Sequence, residues 1–85
     1  MILYDFWADW CGPCKMMNPV IEQFEKSFPD IQVIKIDMDN PGVYTDKVKD
    51  IRSVPTYILT DDAGEKSKVL IGAMPYNKFI KELGL

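Results

Sequence analysis

Trp10, Cys11, Gly12, Pro13, Cys14 and Lys15 hold both cysteines of the chain within six residues. Two thiols separated by two residues can close a disulfide and reopen it, which is the chemistry of thiol–disulfide exchange. The attacking species in such an exchange is a thiolate. The pair stands where a strand-like apolar run ends and a helix-like one begins, so Cys11 is expected at or just before the first helical turn. Unpaired amides and the positive end of the helix dipole favour negative charge there. Cys11 is therefore the expected nucleophile. Cys14, one turn into the helix, is expected to be the less exposed sulfur, placed to resolve a mixed disulfide formed on Cys11. Gly12 and Pro13 keep the intervening turn short, and proline suits a first helical turn.

Two plainer explanations of the pair are weaker. As a structural staple, a four-residue loop offers about 2 kcal/mol in the chain-entropy account, against roughly 4.5 for a loop spanning most of the chain. As a zinc site the pair is half complete: structural zinc takes four ligands, mostly Cys and His, and the sequence has two cysteines and no histidine.

Asp5 is the second pointer. It interrupts a run, Met1 to Ala8, that otherwise reads as a strand buried on both faces. A carboxylate there is costly unless neutralised or paired, and burial raises its pKa. A buried acid behind a thiol pair can exchange protons with Cys14. The residues alone leave this open against a carboxylate facing solvent at a strand edge. Lys35 alternates with Val33 and falls near Asp5 if the first two strands are neighbours; taken alone it reads as an ordinary exposed strand lysine. Trp7 is expected in the core. Trp10 is expected beside the Cys11 sulfur, shielding it and offering apolar surface to a partner. Lys15 reads as a solvated helix residue, and Met16 and Met17 as core.

The elements that must position these groups follow from periodicity. After the first strand, Met16, Met17, Val20, Ile21, Phe24 and Phe28 have helical spacing, with Pro19 inside the helix and Pro29-Asp30 ending it. Ile31 to Asp37 reads as the second strand. Asn40-Pro41 resembles a cap and first helical position for a short helix to Lys49. Val54 to Thr60 reads as a strand with Pro55 at its start. Asp61 to Gly64 is a turn, Lys66 to Ile71 a fourth strand paired as a hairpin, and Tyr76, Phe79, Ile80 and Leu83 mark a last helix. The order β-α-β-α-β-β-α predicts one four-stranded mixed α/β sheet with helices on both faces. The helices between the first three strands suggest parallel crossovers, and the hairpin an antiparallel edge.

Eighty-five residues fit one small domain, 1–85. The chain is acidic, with ten Lys+Arg against thirteen Asp+Glu, which argues against a phosphate-gripping nucleic-acid surface. No run is long enough to span a membrane, and Met1 to Trp7 lacks the basic and apolar regions of a secretory signal. The cytoplasm is the default, where disulfides tend to be catalytic.

The stretch Asp5-Phe6-Trp7-Ala8-Asp9-Trp10-Cys11-Gly12-Pro13-Cys14-Lys15-Met16 resembles the active-site segment of thioredoxins almost residue for residue. The resemblance continues through Pro19, through Ile51-Arg52-Ser53-Val54-Pro55-Thr56, similar to the family's cis-proline loop, and through Gly72-Ala73, similar to its glycine loop. The lowered thiol pKa of such Cys-X-X-Cys pairs is already documented for thioredoxin itself. The resemblance implies a thioredoxin fold lacking the usual first strand and helix, so that strand 31–37 becomes an exposed edge and one sheet face is covered by a single short helix. It implies Cys11 as attacking and Cys14 as resolving thiol, Asp5 as buried acid and Lys35 as its partner lysine. It further implies a cis Val54-Pro55 bond facing the cysteines, and a substrate rim of Trp10, Gly12, Pro13, Val54, Pro55, Gly72 and Ala73. No metal or bound cofactor is implied beyond the Cys11–Cys14 pair. Pro75 departs from the polar cap usual before the last helix.

The expected function is reduction of disulfides in protein substrates, with electrons from a thioredoxin reductase or an equivalent dithiol donor. The alternatives are a glutaredoxin-like reductase fed by glutathione and a non-enzymatic thioredoxin-fold accessory subunit, with an oxidant of exported proteins as a weaker option. Neither a nucleic acid nor a membrane is expected as partner. A monomer is expected, the bare edge being the surface through which two copies would pair.

Overall fold

The computed structural model of the chain describes residues 1–65 and 67–85. Its element order is β1 (Ile2–Trp7), α1 (Gly12–Ser27), β2 (Gln32–Asp37), a 3-10 turn (Gly42–Tyr44), α2 (Thr45–Val48), β3 (Thr56–Thr60), β4 (Ser67–Ile71) and α3 (Tyr76–Leu83). The strands form one four-stranded sheet in the order β2-β1-β3-β4. Lys66, expected at the start of the fourth strand, lies outside the described residues.

β1 has a neighbour on each side, parallel to β2 and antiparallel to β3, and β3 in turn lies between β1 and β4. The antiparallel pairing corrects the parallel crossovers expected among the first three strands. The reason is the length of the second helical segment. A four-residue α2 is only about 6 Å long, too short to retrace a six-residue strand of about 20 Å. The chain therefore leaves β2 and enters β3 at the same end of the sheet. The segment is also irregular: neither Pro41, before the 3-10 turn, nor Tyr44, before α2, makes a side-chain capping hydrogen bond. The expected Asn40 cap is not formed.

Strand alternation divides the sheet into two unequal faces. Leu3, Tyr57, Leu59 and Leu70 face Met17, Ile21 and Phe24 of α1 and Phe79 and Leu83 of α3, forming the main core. Phe79 meets Phe24 and Tyr57 edge-on, with ring centroids 5.8 and 5.0 Å apart, an arrangement worth about 0.5–1.5 kcal/mol beyond its area burial. The opposite face has a thinner cover. There Tyr44 meets Tyr4 edge-on at 6.5 Å, and the Lys47 ammonium stands 4.4 Å from the centre of the Tyr4 ring. Val69 and Ile71 on β4 remain exposed.

α1 runs through Pro19 to Ser27. Its buried residues Cys14, Met17, Ile21 and Phe24 recur at three- and four-residue steps. α3 starts behind Pro75 without a side-chain cap and ends at Gly84, whose φ of 78° closes a left-handed cap. The turn before β4 forms as expected: Asp61 accepts the Gly64 amide on its carbonyl and the Glu65 amide on its carboxylate, each at 3.0 Å.

Phe24 is fully buried, whereas Val43 is 91% exposed. Phe24→Ala is expected to lower unfolding free energy by about 3–5 kcal/mol. Val43→Ala should change it by less than about 0.5 kcal/mol. Urea unfolding of both variants checks the assignment of the core.

Candidate active site

Cys11 is the N-cap residue of α1, with extended backbone (φ −90°, ψ 104°), and its Sγ accepts the Cys14 amide at 3.1 Å. The sulfur takes the place that a Ser or Asp oxygen holds in an ordinary N-cap. Upstream, the Cys11 amide donates to the Ala8 carbonyl at 3.1 Å, tying the cap to the end of β1. Cys11 and Cys14 form a disulfide, with their Cα atoms 5.3 Å apart.

Both cysteines are buried, with Cys11 at 3% and Cys14 at 6% exposure. In this disulfide state Cys14 is therefore not the less exposed of the two. The two cysteines cluster with Ala8, and Trp7, Met38 and Val54 pack against them. Trp7, at the end of β1, reaches the sulfur cluster. Trp10 is 70% exposed, and its indole N–H donates to the Asp39 carboxylate at 3.0 Å. Met16, expected in the core with Met17, is 71% exposed on the outer side of α1.

The Val54–Pro55 peptide bond is cis. Pro55 is buried and Val54 half-buried against the cysteine cluster. The Pro55 carbonyl accepts the Gly72 amide at 2.9 Å, joining the proline loop to the turn after β4. Gly72 has φ 97°, a conformation that strains any residue with a Cβ. Gly12, Pro13 and Ala73 are exposed.

Asp5 is 7% exposed on central β1, opposite Lys35 of β2 and Tyr57 of β3. This rules out an edge position for the carboxylate. Asp5 and Cys14 line one cavity of about 270 Å³, together with Trp7, Ala8, Asp9, Lys15, Asn18 and Lys35. Burial pushes the Asp5 carboxyl up to about 6; the Lys35 ammonium pulls it back down, and Glu25 pushes it up. The neighbouring Tyr57 hydroxyl is raised as well, by burial first and then by Asp5. A carboxyl that titrates near neutrality beside a cysteine can take up or release a proton there.

Comparison with known proteins gives the same answer along nearly the whole chain. The family model Thioredoxin matches residues 1–84. The chain belongs to the thioredoxin family. It is 40% identical over 76 residues to Thioredoxin 1 of Synechococcus elongatus, covering 87% of this chain and 68% of that one. It is 39% identical over 75 residues to Thioredoxin-1 of Saccharomyces cerevisiae, covering 88% and 71%. Among solved structures, oxidised mitochondrial Thioredoxin 3 of S. cerevisiae superposes with a TM-score of 0.80 at 31% identity, covering 98% of this chain and 76% of that one. Thioredoxins are protein-disulfide oxidoreductases that carry electrons on a cysteine pair and need no further cofactor, and this chain carries that pair. It is a dithiol–disulfide oxidoreductase. The comparisons favour this reading over the glutathione-fed and accessory-subunit alternatives.

Among the described residues, no cluster of His, Cys, Asp or Glu is arranged to hold a metal ion, and no helix is long and apolar enough to cross a membrane. Relatives include a chloroplastic thioredoxin of Spinacia oleracea and the mitochondrial yeast protein, so the family spans several compartments.

Several residues of this thioredoxin site escaped sequence reasoning. Asn18 lines the Asp5–Cys14 cavity, and its place four residues after Cys14 was a usable signal. Asp39 reaches Trp10 across 29 positions, which no local pattern announces. Met16, Met17, Val20, Ala73, Met74 and Pro75 line an apolar groove beside the glycine turn, where the Met74 amide donates to the Met17 sulfur at 3.3 Å.

Folding raises the Asp5 carboxyl from its model-peptide value of 3.8 to about 6, so the folded state binds the extra proton. Below the lower value both states hold it and nothing is lost. Stability falls as pH rises between the two, and above the upper one the folded protein carries the full cost of a buried charge. Asp5→Asn is expected to stabilise the oxidised protein by about 2–3 kcal/mol at pH 7 and by almost nothing near pH 3. Urea unfolding at the two pH values measures the difference.

Proposed function

We propose that residues 1–85 work as a single thioredoxin-like domain that reduces disulfides of protein substrates, with Cys11 attacking and Cys14 resolving. The observation that carries the assignment is the Cys14 amide pointing at Cys11 Sγ from 3.1 Å. In the reduced state the same amide, with the helix N-terminus behind it, stabilises negative charge on that sulfur. Among the described residues no hydrogen bond reaches the Cys14 sulfur, and Cys14 shares a cavity with a carboxyl poised near neutrality.

The proposed reaction runs in two displacements. The Cys11 thiolate attacks one sulfur of the substrate disulfide. A Cys11–substrate bond forms, the substrate bond breaks, and the departing sulfur leaves as a thiolate that takes a proton from solvent. Cys14 then gives its proton to the Asp5 carboxylate and attacks Cys11 Sγ. The Cys11–Cys14 disulfide forms and the second substrate sulfur leaves as a thiolate, which is protonated in turn. Two electrons have passed from the cysteine pair to the substrate. A dithiol donor, a thioredoxin reductase or an equivalent protein, returns them by the reverse displacements, and Asp5 gives its proton back to Cys14.

Lys35, opposite Asp5 in the sheet, lowers the cost of the carboxylate while it is charged. Trp10, Gly12, Pro13, Val54, Pro55, Gly72 and Ala73 form the proposed rim for an extended substrate segment. The hydrogen bond linking Pro55 to Gly72 supports this, because it holds the two loops together. A monomer in a reducing compartment, first of all the cytoplasm, is the proposed setting, since a dithiol acting as reductant needs a reduced thiol pool around it.

Insulin reduction driven by thioredoxin reductase and a nicotinamide donor tests the proposal. Wild type is expected to turn over, with glutathione as sole donor supporting much less. Cys11→Ser should abolish turnover. Cys14→Ser should stop after one displacement and accumulate a mixed disulfide, seen as an added mass by mass spectrometry. Persistent turnover in Cys11→Ser would sink the assignment.

A further inference from the structure

Lys35 faces two carboxylates from two directions. Asp5 is its register partner on the neighbouring strand. Glu25, near the C-terminal end of α1, places its Oε1 3.5 Å from the Lys35 ammonium. Among the described residues, the ion pair within 4 Å is the one with Glu25, not the one with Asp5. The register of α1 explains how Glu25 arrives there. Cys14, Asn18, Ile21 and Glu25 recur at i, i+4, i+7 and i+11, one stripe along the helix. The first two line the Asp5 cavity, and the last overhangs edge strand β2 where Lys35 emerges.

We propose that Glu25 is a positioning residue for the Asp5–Cys14 proton site: it draws the Lys35 ammonium toward α1 and so keeps that cation from pairing directly with Asp5. The proposal rests on the proton exchange described above. Its physical content is a competition between one partly exposed anion and one buried anion for a single flexible cation. Lys35 is 53% and Glu25 43% exposed along their side chains, so the pair is screened and its effect is modest. A modest effect suffices, because the group it acts on titrates close to the working pH. The charged and titratable groups facing Asp5 are Lys35 from β2, Tyr57 from β3, Cys14, Lys15 and Glu25 from α1, and Asp9 from the loop after β1. Among the carboxylates of that set, Glu25 is the one that acts by holding the cation.

Removing the Glu25 charge frees Lys35 to approach Asp5 and stabilise its charged form. In Glu25→Gln, the proton affinity of Asp5 is expected to fall about two- to fivefold at low ionic strength, the range that a partly exposed charge commands. The acid limb of the insulin-reduction pH profile is expected to move to lower pH with it. Carbon-13 NMR titration of the Asp5 carboxyl in the oxidised protein reads the first effect directly. The same substitution in a Lys35→Met background is expected to leave Asp5 nearly unmoved. No change in the first case, or an equal change in both backgrounds, would overturn the proposal, the latter assigning the effect to direct repulsion between the two carboxylates. Asp5→Asn separates this outcome from failure of the underlying reading. If its turnover keeps the wild-type pH profile, proton exchange through Asp5 is wrong, whatever Glu25 does to the carboxyl's titration.

Discussion

The site depends on a helix N-terminus capped by sulfur in place of oxygen. An α-helix leaves its first amides without partners inside the helix, and short polar side chains usually satisfy one of them. Here the Cys11 Sγ accepts the Cys14 amide, so the structural need of α1 and the electrostatic need of a thiolate are met by the same bond. The cap in turn fixes where β1 must end. The Cys11 amide is held by the Ala8 carbonyl, and β1 has neighbours on both sides. The sulfur is therefore anchored to the end of a strand paired on both sides, and only two residues separate the two cysteines.

The same strand carries the acid. Because side chains alternate along β1, Asp5 emerges on the face that α1 covers, in one row with Lys35 and Tyr57. Cys14 is buried on the inner side of α1, so strand and helix bring carboxyl and thiol to one cavity. The two groups are driven in opposite senses. The helix terminus favours the charged form of the Cys11 sulfur, while burial favours the neutral form of Asp5. A carboxyl pushed up to about 6 thus lines the same cavity as Cys14, where it can serve as the acceptor proposed for the thiol proton.

The chemistry was more legible in the sequence than the geometry around it. Cys11, Cys14 and Asp5 announced themselves because each breaks a local pattern: two thiols at a strand-to-helix junction, one carboxylate in an apolar run. What escaped depends on contacts remote in sequence. Trp10 adjoins Cys11 and Trp7 lies four residues before it, and nothing in that local spacing announces that Trp7 packs against the cysteine pair or that the Trp10 indole N–H donates to distant Asp39. The direction of β3 was hidden for a related reason. Pro41 to Lys49 carries a helical signature, but a 3-10 turn followed by a single α turn covers too little length to cross the sheet. Periodicity reveals that a segment is helical, not how far it carries the chain. Glu25 reads as one more solvated helix residue until β2 is laid beside α1.

Edge strand β2 places a useful limit on how buried the acid can be. Burial raises the proton affinity of a carboxyl, but a carboxyl sealed from every polar group would hold its proton too firmly to return it. Asp5 avoids that extreme because its row of the sheet runs out to the edge after one strand. The next residue in the row is Lys35, half of whose side chain is exposed. Asp9, Lys15 and Asn18 line the same cavity, and all three are exposed. On its other side Asp5 meets Tyr57, which offers no cation, so Lys35 is the charge in the row that offsets the burial of Asp5. Placing Asp5 on the edge itself would return it to the ordinary range, too weak a base for a thiol. A carboxyl one strand in from an edge, facing a helix that begins with the thiol pair, is the position at which its proton affinity matches the chemistry proposed for it.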